Sequence, residues 1–282
     1  MKQRILTALT LLLFTLLGIF ILPFAGFVVV MTVIIAVLAW EWSSLSSMMS
    51  MGSRAGYVLG VLVIWGIILF LSPWLLCLLI DWGWIYTIFW LVILLAIVWG
   101  ASKTHLPILP KGLIAILGVV NLPISCFCLL VLSFNKFLFL WFLSIVCLND
   151  TLAYFSGRYW GKHWMVPTIS PKKTWEGLWV GLVATLSIST PVVYSIIESF
   201  YSLSRSYESI FVLSIATIVA ANLGDLLESW LKRSCGLKDS GKCLPGHGGL
   251  LDRLDSLLSA SSIFLVGSFG LLGFLPTFQY CE

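Results

Sequence analysis

Residues 5–40 read ILTALTLLLFTLLGIFILPFAGFVVVMTVIIAVLAW, an apolar run without a single Asp, Glu, Lys or Arg. Pro23 divides it into two stretches, 5–22 and 24–40, each close to the ~20 residues that an α-helix needs to cross the hydrocarbon core of a bilayer. Lys2 and Arg4 ahead of the first stretch look like the charged start of a secretory signal peptide. The run is long for that role, however, and no small-x-small cleavage pattern follows before Pro23. The segment therefore reads as a retained first span.

Similar runs recur to the far end of the chain. Bounded by charge, Pro or Gly, they give nine expected spans at 5–22, 24–40, 57–72, 82–99, 112–132, 137–156, 177–198, 209–231 and 254–275. Pro73 and the Asp81-Trp82-Gly83-Trp84 turn make 72–84 the least defined boundary. Only 10% of the 282 residues are charged, against about 25% in an average soluble domain, and the mean hydropathy is +1.06. No hydrophilic stretch is long enough for a separate water-soluble domain. The expected fold class is an all-α integral membrane protein with about nine transmembrane helices. It forms one polytopic domain over 1–282, with N-terminal spans in 1–132 and chemistry-bearing spans and loops in 133–282.

A net charge of +4 is too small to imply nucleic-acid binding, but its distribution is informative. With the N-terminus cytoplasmic, the inside holds Lys2, Arg4, Arg54, Lys103, Lys111, Arg158, Lys162, Lys172, Lys173, Lys232, Arg233, Lys238, Lys242 and Arg253. The outside holds only Lys136 and Arg205. This asymmetry supports nine spans and an inside N-terminus. The seven cysteines form no CxxC pair, and four lie in apolar runs, where a thiol behaves as a small hydrophobe. Cys235 and Cys243 fall on the reducing side, where a disulfide is not expected.

Two inside loops, 157–176 and 232–253, carry most of the polar chemistry. Around the second, the chain reads GDLLESWLKRSCGLKDSGKCLPGHGGLLDRLDS over 224–256. Five acids (Asp225, Glu228, Asp239, Asp252, Asp255) meet five bases (Lys232, Arg233, Lys238, Lys242, Arg253), and charge within a span is costly enough to mark function. Asp225, Glu228, Ser229 and Lys232 share one helix face by spacing, as do Asp252, Asp255 and Ser256 on the next helix. Two helix ends joined by a tight loop converge carboxylates on a hard cation such as Mg²⁺, which would also hold a substrate's phosphates. Pro245-Gly246-His247-Gly248-Gly249 between them suits close backbone approach and positive φ, and if span nine starts soon after Gly249, its free N–H groups would bind phosphate oxygens.

Blander readings stand beside these. Glu228 and Lys232 also fit an ordinary i,i+4 pair, and Lys238, Lys242 and Arg253 fit membrane-surface anchors. His247 alone fits a loop-packing residue. In the first loop, Ser170-Pro171-Lys172-Lys173-Thr174-Trp175-Glu176-Gly177 offers two lysines to phosphates or to the membrane surface. Asp150, expected to be buried near the end of span six, fits either function or a polar contact between helices.

At this point the chain resembles the phosphatidate cytidylyltransferases, or CDP-diacylglycerol synthases. The family's C-terminal signature is filled without a gap as Ser229-x-Leu231-Lys232-Arg233-x4-Lys238-Asp239-x-Gly241-x2-Leu244-Pro245-x-His247-Gly248-Gly249-Leu250-x-Asp252-Arg253-Leu254-Asp255. Ser170–Gly177 and Ala153-Tyr154-Phe155-x-Gly157-Arg158 are similar to family segments as well. The resemblance is strong over about 145–260; the first four spans match only in hydrophobicity.

The resemblance implies transfer of a cytidylyl group from CTP to phosphatidic acid, giving CDP-diacylglycerol and pyrophosphate with Mg²⁺, and with K⁺ as a second associated cation. It implies Asp225 and Asp252 as metal ligands beside Asp255, with Asp225, Asp252, Lys173 and His247 in catalytic roles. Lys172, Lys173, Lys232 and Arg233 would contact phosphates. Ser170, Thr174, Ser229, Lys238, Asp239, Gly248, Gly249 and Arg253 would complete the substrate surface. The implied partners are CTP, phosphatidic acid and the bilayer; a homodimer is compatible with the sequence. The implied setting is a bacterial inner membrane with a cytoplasm-facing site, favoured by a short chain lacking a soluble extension.

Three rivals weigh less. A CDP-alcohol phosphotransferase needs DG-x2-AR, and Asp255 is followed by Ser256-Leu257-Leu258. A lipid transporter or flippase tends to show paired repeats and midplane charge, whereas these charges gather at one face. A CTP-dependent polyprenol kinase would move the γ-phosphate rather than CMP.

Overall fold

The computed structural model describes residues 18, 20–48, 50–72, 85, 88, 92, 109–201, 206–241, 243 and 248–273. Seven long helices account for most of them: α1 (Phe24–Leu45), α2 (Met51–Phe70), α3 (Lys111–Leu132), α4 (Lys136–Trp160), α5 (Trp175–Tyr201), α6 (Tyr207–Ser234) and α7 (Leu251–Leu272). All seven are long and apolar enough to cross a membrane. They coincide with seven of the nine expected spans; the other two, 5–22 and 82–99, fall largely outside the described residues.

The helices run past the apolar windows that locate them. Hydropathy marks the stretch that crosses hydrocarbon, but the i→i−4 ladder continues into the interface, and there the polar residues lie. Local chemistry sets several ends. Ser50 accepts from Ser53 N at 3.1 Å to begin α2, and Asn135 accepts from Leu138 N at 3.2 Å to begin α4.

Helices α1, α2 and α3 pack together, α4 packs along α5, and α6 along α7; α3 against α7 joins the first group to the second. Phe264 of α7 meets Trp141 and Phe142 of α4 with ring centroids 4.9 and 5.3 Å away. Serine and glycine bring backbones close elsewhere. Ser261 Oγ donates to Ser125 O at 3.2 Å between α7 and α3, and a Cβ at Gly224 would strike Ser259 across the α6–α7 contact.

One feature departs from an all-helical plan. The loop expected at 157–176 contains an antiparallel hairpin of β1 (Trp164–Val166) and β2 (Ser170–Thr174), paired Trp164 to Thr174 and Val166 to Ser170. Buried Val166 and Ile169 seat it, Arg233 Nε donates to Ile169 O at 3.4 Å, and Glu176 accepts from the backbone N of His163 at 3.2 Å. So short a strand pair, with Pro171 in it, has no sequence alternation by which to be recognised.

The C-terminal ends of α1, α4 and α6 and the N-terminal ends of α2, α3, α5 and α7 meet at one end of the bundle. Trp42 Nε1 donates to Ile114 O at 2.8 Å and Leu251 N to Glu41 Oε2 at 2.8 Å, which ties α1 to both α3 and α7 there. By helix direction, every described Lys and Arg except Lys136 lies at this end.

Candidate active site

A cavity of about 870 Å³ opens at the charged end, in the size range of small-molecule sites. Its walls come from α4, the β1–β2 hairpin, and the starts or ends of α5, α6 and α7. It brings together Ser170, Lys172, Lys173, Thr174, Asp225, Lys232, Asp252, Arg253 and Asp255, nine of the residues singled out from sequence.

Two ion pairs span it. Lys173 Nζ, carried by β2, lies 2.7 Å from Asp225 Oδ2 on α6. Lys232 Nζ, on α6, lies 2.6 Å from Asp252 Oδ1 on α7 and 3.2 Å from Glu228 Oε2 one turn back. The i,i+4 pair therefore forms, but Lys232 also bridges two helices. Glu228 is buried at 3% exposure, so this lysine neutralises charge in a site shielded from water. Ser229 Oγ donates to Asp225 Oδ1 at 3.3 Å.

Asp252 is held further by the backbone. Its Oδ2 accepts from Ser240 N at 3.0 Å and from Gly249 N at 2.9 Å. The expectation that the α7 N-terminus offers free amides to phosphate is overturned for its opening residues. Leu250 N and Leu251 N donate to Glu41 of α1 at 3.0 and 2.8 Å, so the chain's own carboxylates satisfy that helix end. Gly249 serves tight packing: a Cβ there would run into Ser240 and the Glu41 carboxylate. Gly248 takes the left-handed φ of 87°.

Other expected residues lie off the cavity wall. Arg233 is exposed and bonds the carbonyls of Ile169 and Leu237. Lys238 and Asp239 are exposed beyond the end of α6, and Gly248 and Gly249 sit behind Asp252. Thr174, by contrast, is on the cavity wall but buried, and its Oγ1 accepts from Gly177 N at 3.2 Å as the cap of α5. His247 lies outside the described residues.

Asp150, expected buried, is instead exposed and faces the cavity. Arg158, Tyr154, Trp164, Asn222 and Ser256 also line it. Of these, Trp164 and Asn222 carried no signal in the sequence beyond their proximity to it. Glu41 gave none either, since a lone acid near a span end reads as an interfacial residue.

Among the described residues no three His, Cys, Asp or Glu side chains stand in metal-holding geometry. The donor chemistry nevertheless suits a hard divalent cation, because the oxygens of Asp225, Asp252 and Asp255 face one cavity. Lysine ammonium groups occupy oxygens of Asp225 and Asp252 in this arrangement.

Comparison with known proteins adds to this geometry. Residues 2–269 match the model of the Cytidylyltransferase family. The phosphatidate cytidylyltransferase of Pseudomonas aeruginosa is 34% identical over 94% of this chain and 95% of that protein. That of Rickettsia bellii is 35% identical over 65% of this chain and 81% of its own. That of Haemophilus influenzae is 41% identical over a shorter alignment, 45% of this chain and 44% of its own.

Proposed function

The chain belongs to the cytidylyltransferase family, and we propose that it transfers CMP from CTP to phosphatidic acid, releasing pyrophosphate and forming CDP-diacylglycerol. The observation that carries this reading is one cavity at the charged end of the bundle in which four carboxylates and five cationic side chains from four elements face each other.

A phosphate oxygen of phosphatidic acid attacks the α-phosphorus of CTP. A new P–O bond forms, the bond from Pα to the β-phosphate oxygen breaks, and pyrophosphate leaves with that electron pair. No protein nucleophile is needed. The protein positions two anionic reactants against each other and offsets their repulsion. Lys172 and Lys173 on the hairpin, Arg158 on α4 and Arg253 on α7 supply positive charge from different sides of the cavity. Lys232, fixed between Asp252 and Glu228, holds the carboxylate wall together. Asp225, Asp252 and Asp255 would hold Mg²⁺, which neutralises phosphate charge when bound; K⁺ is a second candidate cation for the same wall.

The nine-span topology with a cytoplasmic N-terminus belongs to this proposal. It puts the cavity in the cytoplasm, where CTP is, and the membrane in question is the bacterial inner membrane. The one-sided array of basic side chains supports that orientation.

The test uses purified protein, phosphatidate in detergent micelles and CTP labelled at the α-phosphate. Label entering chloroform-soluble lipid, dependent on phosphatidate and lost with a Mg²⁺ chelator, is the expected result. Label entering lipid only from γ-labelled CTP identifies a kinase and overturns the proposal.

A further inference from the structure

Glu41 sits in the last turns of α1, among spans that the sequence distinguishes only by hydrophobicity, and is buried at 3% exposure. Its carboxylate faces the second half of the chain, accepting from Leu250 N at 3.0 Å, Leu251 N at 2.8 Å and Ser240 Oγ at 3.3 Å. Burying a carboxylate is costly without such donors, so this helix end and this side chain require each other. Ser240 and Gly249 are also the residues whose amides hold Asp252 Oδ2. A Cβ at Gly241 or Gly249 would collide with Glu41, so the backbone at both positions lies directly against the carboxylate.

The far side of Glu41 is pinned as well. Arg54, on α2, donates to Trp40 O at 2.9 Å, Ser43 Oγ at 3.0 Å and Ser44 Oγ at 2.7 Å, and stacks 4.1 Å from the centre of the Trp40 ring. These bonds fix the turn of α1 that carries Glu41. A continuous set of contacts thus leads from α2 through α1 to the start of α7.

We propose that Glu41 is a positioning residue for the reaction. By capping α7 and holding Ser240, it sets where Asp252 stands in the cavity. This rests on the reading of the cavity as the cytidylyl-transfer site. Glu41 touches no cavity-lining side chain among its hydrogen bonds and acts through the Ser240 and Gly249 amides. Displacing a catalytic group by about 1 Å can cost on the order of 10²-fold in rate, so its loss falls on turnover.

The experiment compares wild type, Glu41→Ala and Glu41→Gln in detergent, by amide exchange and steady-state kinetics. Glu41→Gln keeps one acceptor oxygen and serves as the second variant should the alanine variant fail to fold. Expected is about tenfold or greater acceleration of exchange at residues 248–252 in the alanine variant, with the hairpin at 164–174 unchanged. Alongside it, kcat falls about 10²-fold, KM for phosphatidate stays within about twofold, half-saturation by Mg²⁺ rises, and the glutamine variant is intermediate. Unchanged exchange at 248–252, or wild-type kcat in either folded variant, overturns the proposal. Should wild type itself fail to transfer CMP, the functional reading falls, while the exchange data still decide whether Glu41 holds the loop.

Discussion

Asp225 and Asp252 face one cavity from adjacent helices, yet their surroundings differ sharply. Asp225 is about one-third exposed, and its ion partner, Lys173, arrives on a two-stranded hairpin at the charged end of the bundle. Asp252 is 10% exposed and held by Lys232 and two backbone amides, behind which Glu41 braces the loop. One wall of the site is a network whose members satisfy one another; the other is held by one lysine and one serine hydroxyl. The difference assigns adaptation to the hairpin, where Lys173 can exchange a carboxylate for a substrate phosphate at little cost. It assigns precision to α7, where any displacement breaks several bonds at once.

The largest expected effect is the same at both walls, because the two carboxylates differ in support and not in role. Asp225→Asn and Asp252→Asn should each lower CMP transfer by about a thousandfold or more while leaving a monodisperse protein, as size-exclusion chromatography beside the label assay would check. Near-normal turnover in either removes that carboxylate from the chemistry.

Stability should then separate the walls. Lys232→Ala leaves Glu228 and Asp252 buried and unpaired and is expected to cost about 3 kcal/mol. Lys173→Ala breaks a partly exposed pair and should cost about 1 kcal/mol or less. Chemical denaturation in mixed micelles measures both; equal losses would contradict two differently held walls.

The smallest effect concerns binding alone. Lys172 is exposed on the hairpin and pairs with no acid among the described residues. Lys172→Ala should raise KM for CTP about three- to tenfold with kcat little changed, and high salt should mimic it in wild type.

Much of this fold is legible in the sequence because hydrocarbon imposes one rule on every span. Seven expected spans meet seven helices, and the misplacements are at their ends. The 24–40 window stops one residue short of Glu41, and the 254–275 window begins beyond Asp252. Lys232, Asp252 and Arg253 lie in helix extensions just outside those windows, whereas Asp225 and Asp255 lie within them. Asp225, Lys232, Asp252 and Asp255 were legible because charge is rare and spaced on one face. Glu41 was not, because its partners lie 199 to 210 residues away and nothing local marks the pairing. The hairpin was hidden by its brevity, and its carriage of Lys173 to Asp225 is a tertiary fact. Of the glycines beside Asp252, Gly248 takes the left-handed backbone open to glycine, whereas Gly249 makes room for protein carboxylates and amides rather than leaving amides free.

Mass spectrometry of the lipid product tests the central claim most directly. Purified protein given phosphatidate, CTP and Mg²⁺ should convert the lipid to a species heavier by one cytidylyl group, with one pyrophosphate released per lipid converted, and Asp225→Asn should leave the lipid unchanged. Lipid heavier by a phosphoryl group alone, or unaltered lipid with well-folded wild-type protein, would contradict it.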